Sequence, residues 1–177
     1  MPNRHPLIAA VWLVSDARND SALERALARL PRGSGLVFRH YHLPPEQRRL
    51  RFKALAKAAR LRGHRVLLSG DARQARAWGA DGAYGGAEHL ARGPACLRLV
   101  TVHSLREIAK ARRADALLLS PVHATRSHPG GKVLGPLRFL LMARQANIPV
   151  IALGGMDAAR AGRLCGHPWA AIDGLAG

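Results

Sequence analysis

Acidic residues are scarce in this chain: 11 Asp and Glu stand against 28 Lys and Arg, a formal net charge of +17 over 177 residues. Cysteine is scarcer still, with only Cys96 and Cys165. Far apart and in different expected elements, they make neither a disulfide framework nor a CxxC pair, and a reducing compartment fits. Aromatics reach only 5%, and no contiguous basic run exists. With Arg spread along the whole chain, that pattern argues against nucleic acid as the main partner, although the positive field attracts anions such as phosphates. No apolar run approaches the roughly 20 residues a membrane-spanning helix needs, because Arg, Asp or His interrupts each candidate. The opening MPNRHPLIAAVWLVSDAR lacks a clear small-x-small cleavage site, and its pattern continues as a strand, so a cytoplasmic protein is expected.

What is present is an alternation of strand-like and helix-like segments in one domain. Strand patterns fall at Leu7–Val14, Gly35–Arg39, Arg65–Ser69, Asp81–Tyr84, Leu97–Val102, Ala116–Leu119, Pro149–Leu153 and Ala170–Ile172. Helical patterns lie between them: Ser21–Leu30 with Ser21 as N-cap, Pro45–Leu61, Ala72–Trp78, Ser104–Arg113, Pro136–Gln145 and Ala158–Leu164. A glycine-containing connection stands between the fourth and fifth strands. Eight β-units without a change of rhythm predict a (β/α)8 barrel. The barrel looks trimmed, without a last covering helix. That would leave an apolar strip beside strand eight, which a second copy in a homodimer could cover.

Working residues in such barrels sit after the C-terminal strand ends, with phosphate commonly after strands seven and eight. Here those places are Gly154-Gly155, in IPVIALGGMD, and Asp173-Gly174. The glycines allow an anion to approach bare backbone N–H groups. An Asp173 carboxylate would repel the same anion unless turned away. The long loop SPVHATRSHPGGKVLG, residues 120–135, offers Thr125, Arg126, Ser127, His128 and Lys132 as donors, and reads as a lid over an anionic substrate.

The segments VSD, GADGAY at 79–84, VTVHS at 100–104, SPVHATRSHPGG and IPVIALGGMD resemble, in order and spacing, the signatures of the thiamine phosphate synthase/TenI superfamily. The resemblance implies a (β/α)8 barrel that binds a phosphorylated heterocycle. One branch joins a pyrimidine pyrophosphate to a thiazole phosphate with Mg²⁺; the TenI-type branch aromatises the thiazole phosphate. Gly154 and Gly155 match the phosphate-cradling glycines, Thr125 and Ser127 the hydroxyls near pyrophosphate, and Arg39 the Arg of the strand-two motif.

Other positions depart from the pattern. Val37 and Tyr41 replace a Gln and a Lys, Ser69-Gly70 replaces an Asn-Asp pair, and Asp173 replaces a Ser. Asp71 and Glu88 are the carboxylates left that could hold Mg²⁺, an ion that commonly takes one or two protein carboxylates with substrate phosphates. The resemblance thus implies a transferase with a degenerate metal site. One alternative is a tautomerase in which His123 is the acid/base, two residues after Pro121, where the relatives' His falls. The other is a non-catalytic binder of a phosphorylated ligand.

Overall fold

Residues 8–126 and 130–176 are described by the computed structural model. Strands β1 (Val11–Val14), β2 (Gly35–Phe38), β3 (Arg65–Ser69), β4 (Gly82–Gly86), β5 (Leu97–Val102), β6 (Ala116–Leu119), β7 (Val150–Ala152) and β8 (Trp169–Ala171) close into a parallel barrel in sequence order. β8 returns to β1 with Trp12 opposite Ala170. Helices α1 (Leu23–Arg29), α2 (Pro45–Leu61), α3 (Ala72–Trp78), α4 (Ala87–Leu90), α5 (Leu105–Lys110), α6 (Gly135–Ala143) and α7 (Ala158–Ala161) fill the crossovers.

Because successive strand residues point to opposite faces, the strands build two cores. Inside the barrel, Trp12, Val37, Leu67, Leu99, Leu118 and Ile151 pack together. Trp12 is fully buried and its indole N–H donates to the Ala9 carbonyl at 2.8 Å. So large a ring fits because β2 begins with glycine: a Cβ at Gly35 would overlap the Trp12 ring. Outside the barrel, Leu13, Leu36, Phe38, Val66 and Leu68 meet Leu23, Leu27, Phe52, Leu55 and Phe139 from the helices and their approaches.

Several boundaries match the sequence pattern, among them β3, β5, β6, α2 and α3. The first helix does not start at Ser21. A 3₁₀ turn, Ala17–Ala22, comes first and is capped by Asp16, whose backbone N–H donates to Asn19 Oδ1 at 2.8 Å. The same Asn19 side chain donates to Val14 O and Ile172 O, both at 3.0 Å, so contacts from β1 and from the end of β8 fix the turn. The expected connection after β4 contains α4, anchored by buried Leu90.

β8 is followed by a 3₁₀ turn, Asp173–Leu175, with no α-helix after it among the described residues. Beside β8, Ala171 is buried, while Trp169, Ile172 and Leu175 are partly buried, Trp169 and Leu175 against the outer core. Exposed large apolar side chains instead include Leu137 and Leu141 on α6 and Val133 just before it. Among the described residues, no helix is long and apolar enough to cross a membrane.

Candidate functional site

At the C-terminal ends of the strands lies a cleft of about 400 Å³, reaching from Arg39 after β2 across to Gly174 after β8. Its floor includes Tyr84 and Thr101 from β4 and β5, and one wall is the turn after β7. Gly154 and Gly155 both hold positive φ, +100° and +58°. These values favour glycine, because a Cβ in the left-handed region crowds its own backbone. The surroundings require glycine as well. A Cβ at Gly154 would come within 2.7 Å of Pro121 Cα, and one at Gly155 would run into the Ala124 carbonyl.

This turn is held by its neighbours' donors rather than its own. Val122 N–H donates to Leu153 O at 2.9 Å and His123 N–H to Gly154 O at 3.0 Å. Among the described residues, no acceptor takes the N–H groups of Gly154, Gly155 or Met156. Consecutive unused amide donors at a glycine turn form an anion-binding concavity. α7 has only four residues, so its dipole adds little beside them.

Arginines surround that turn. Arg160 donates to the Gly155 carbonyl, and Arg126 and Arg39 line the same cleft. The cleft's carboxylates are turned to other work. Asp157 accepts the Arg160 backbone N–H at 2.8 Å and so caps α7. Asp173 lies 3.6 Å from Arg18, which also pairs with Asp16 at 3.0 Å. The feared repulsion between Asp173 and an anion is therefore met by a guanidinium. Asp16 in turn binds Arg39 at 3.0 Å. Partial burial works against the Asp16 charge, but hydrogen bonds and charges from Arg18 and Arg39 outweigh it and lower its pKa.

The rim at β2 and β3 is built by side chains that bond to one another. Tyr41 and Ser69, which replace the Lys and Asn of the resembled pattern, hydrogen-bond each other. Arg48 donates to Arg39 O at 2.8 Å and Ser69 O at 2.7 Å, with the rings of Phe38, Tyr41 and Trp78 around its guanidinium. Asp71 caps α3 by accepting the Gln74 N–H at 2.7 Å. It shares a separate shallow depression with Glu88, flanked by Arg73 and Arg92, away from the main cleft. Among the described residues, no three His, Cys, Asp or Glu side chains gather as metal ligands do. Asp71 and Glu88, the carboxylates that the resemblance leaves for Mg²⁺, thus lie together in that depression and not in the wall of the main cleft.

Of the residues picked from the sequence, Arg39, Thr125, Arg126, Gly154, Gly155 and Gly174 line the cleft. Lys132 is exposed and outside its wall. Ser127 and His128 lie outside the described residues. His123 is not among the described residues that line the cleft, and among the described residues its buried Nε2 has no hydrogen-bond partner. Burial first, then the charge of Arg160, lowers its pKa and keeps the ring neutral.

Sequence reasoning passed over Arg48 and Arg160; Tyr84 stands where the resembled pattern has a His, and His103, at a strand end in VTVHS, suits a pocket wall and packing equally. Arg160 carried a faint signal, five residues after the second glycine of the turn. Arg48 carried none, since one arginine on a basic helix resembles its neighbours. Burial pushes the Tyr84 phenol up to about 12, so it stays protonated near neutrality. His103, after β5, lines the cleft with Nδ1 at 2.8 Å from Ser120 O and 3.3 Å from Ser120 Oγ.

A family model described as thiamine monophosphate synthase matches residues 11–176. Thiamine phosphate pyrophosphorylase from Pyrococcus furiosus superposes with a TM-score of 0.75 at 22% identity, over 92% of this chain and 84% of that one. The protein of that name from Bacteroides thetaiotaomicron gives 0.61 at 14% identity, over 93% and 82%. FabK from Thermotoga maritima gives 0.71 at 16%, over 94% and 58%, which shows how widely the barrel itself is shared. No curated protein sequence matches the chain.

Proposed function

Because the chain belongs to the thiamine monophosphate synthase family, we propose that its mouth cleft binds a phosphorylated heterocycle of thiamine biosynthesis and works on it without a protein-held metal ion. The observation that carries this is the run of unused N–H groups at Gly154, Gly155 and Met156, in a cleft lined by Arg39, Arg126 and Arg160. Hydrogen bonds from such donors to a charged phosphate contribute about 1.5–3 kcal/mol each. The phosphate sits on the turn after β7, and the ring lies toward Tyr84 and Thr101.

Two reactions go with such a ligand. Isomerising a thiazole phosphate to its aromatic form asks for a phosphate anchor and a proton carrier in one cleft. Joining it to a pyrimidine pyrophosphate asks in addition for stabilisation of the departing pyrophosphate, usually by a metal ion and cations. The donor set favours the first. One observation favours the second: among the described residues, buried Arg39 Nε has no hydrogen-bond partner, on the rim where the resemblance puts pyrophosphate. In that reading the chain is a transferase, and Arg39 meets the leaving group's charge.

Calorimetry with thiazole phosphate, in the presence and absence of EDTA, tests the binding. Thiamine phosphate formation from both substrates, with and without Mg²⁺, tests the reaction. The expected result is binding indifferent to EDTA and no thiamine phosphate. Metal-dependent product would overturn the metal-independent reading in favour of the transferase. Failure to bind thiazole phosphate would remove both.

A further inference from the structure

We propose that His103 is the catalytic proton carrier of the mouth cleft, taking a ring proton from the bound heterocycle through Nε2 and returning it at an exocyclic carbon conjugated with the ring. The proposal rests on the isomerisation reading above. It begins from a tautomer. A carbonyl oxygen only accepts, so the 2.8 Å contact between His103 Nδ1 and Ser120 O places the proton on Nδ1. In the neutral ring, Nε2 then carries a lone pair. Its backbone is pinned too: the His103 N–H donates to the Glu107 carboxylate at 3.0 Å, and Ser104 caps α5 through the Glu107 N–H at 3.3 Å. The base is thus fixed in position and in protonation pattern before any ligand arrives.

The other described groups lining the cleft are poor competitors. The buried Tyr84 phenol holds its proton near neutrality, and the Thr101 and Ser120 hydroxyls are not bases at that pH. Asp157 accepts the Arg160 amide of α7, and Asp173 faces Arg18. Arg39, Arg126 and Arg160 offer guanidinium donors and no acceptor. Glu107, on α5, is the carboxylate that touches His103 directly, through the backbone.

The step balances without an oxidant or a co-reactant. A C–H bond beside a ring C=N breaks and its proton passes to Nε2. The electron pair left behind forms a new ring C=N bond, the former C=N pair becomes a ring C=C bond, and the displaced exocyclic C=C pair moves to its outer carbon. The imidazolium then protonates that atom. Exchange with water during the step labels the product with one solvent hydrogen.

NMR in D₂O with a non-aromatic thiazole phosphate isomer reads the label and the rate. His103→Ala is expected to lower kcat at least ~100-fold while the Kd for thiazole phosphate stays within about twofold, because the phosphate anchor is elsewhere. Added imidazole should restore part of the rate, which it would not do if the ring only supported Ser120. ¹⁵N correlation spectra of the wild-type protein should show the Nδ1–H form.

An Nε2–H form, an undiminished variant, or joint loss of kcat and affinity without imidazole rescue would each overturn the proposal. Wild type that binds thiazole phosphate yet does not isomerise it would overturn the isomerisation reading, and this proposal with it. An active wild type with an equally active variant would remove His103 alone.

Discussion

Replacing Gly154 with alanine separates two costs that meet at the phosphate turn. At φ +100° any residue with a Cβ is strained, at about 1–2 kcal/mol for a left-handed conformation. The new methyl would also lie 2.7 Å from Pro121 Cα and 2.8 Å from Pro121 Cβ. The Pro121–His123 segment is tied to β7 by backbone bonds and gives way only by breaking them, an overpacking cost of about 1–3 kcal/mol. Together these give about 3 kcal/mol, which for a chain of this size lowers Tm by roughly 6–12 °C.

Gly33→Ala is the control. Its φ is +78°, but nothing stands within 4 Å of its Cβ position, so only the conformational cost of about 1–2 kcal/mol applies. Urea unfolding of both variants reads the difference. Calorimetry should show Gly154→Ala losing at least about tenfold in affinity for thiazole phosphate, or 1.4 kcal/mol, while Gly33→Ala keeps it. Equal stability in the two variants would refute the close-approach reasoning. Unchanged affinity in Gly154→Ala would refute the assignment of the phosphate to this turn.

Other perturbations follow from the same contacts. Gly35→Ala should cost about 1–3 kcal/mol by urea unfolding, because its methyl would overlap the Trp12 ring, and Trp fluorescence should shift with it. A variant as stable as wild type would mean that the ring has room to move. Buried Arg98 donates to Leu90 O at 2.9 Å and Pro94 O at 2.7 Å; Arg98→Met should therefore cost about 3 kcal/mol from those two charge-assisted bonds, and a loss under about 1 kcal/mol would contradict their importance.

Stability should also fall with pH in two stages. Burial lowers the His40 pKa against the pull of Asp20, so the unfolded chain takes the proton first and stability drops as pH goes below about 6.5. Burial works to raise the Asp20 pKa, but hydrogen bonds from His40 and Arg51 prevail and lower it. The Arg51 hydrogen bond chiefly lowers that of Glu24. Their contribution is present above the ordinary carboxylate pKa and is lost below about pH 4. A urea midpoint unchanged between about pH 7 and pH 5 would contradict the His40 part.

Strand and helix periodicity, read one residue at a time, determined the barrel. Ala116–Leu119 is apolar at every position because both faces of a parallel strand are covered, and Pro45 with Gly63 bracket α2 through their own backbone preferences. The same local logic marked Gly154-Gly155 as a turn open to phosphate. Tertiary structure decided the rest, because it depends on atoms far apart in sequence. Asn19 reaches both β1 and β8, and so moved the start of the first helical segment from Ser21 to Asp16. Asp71 and Glu88 fell on a separate depression, while Tyr41 and Ser69, 28 residues apart, closed on each other where the resembled pattern puts pyrophosphate and metal contacts. VTVHS put His103 at a strand end, as suited to packing as to a pocket wall. Only the Ser120 carbonyl, brought beside it by β5–β6 pairing, sets which nitrogen holds the proton.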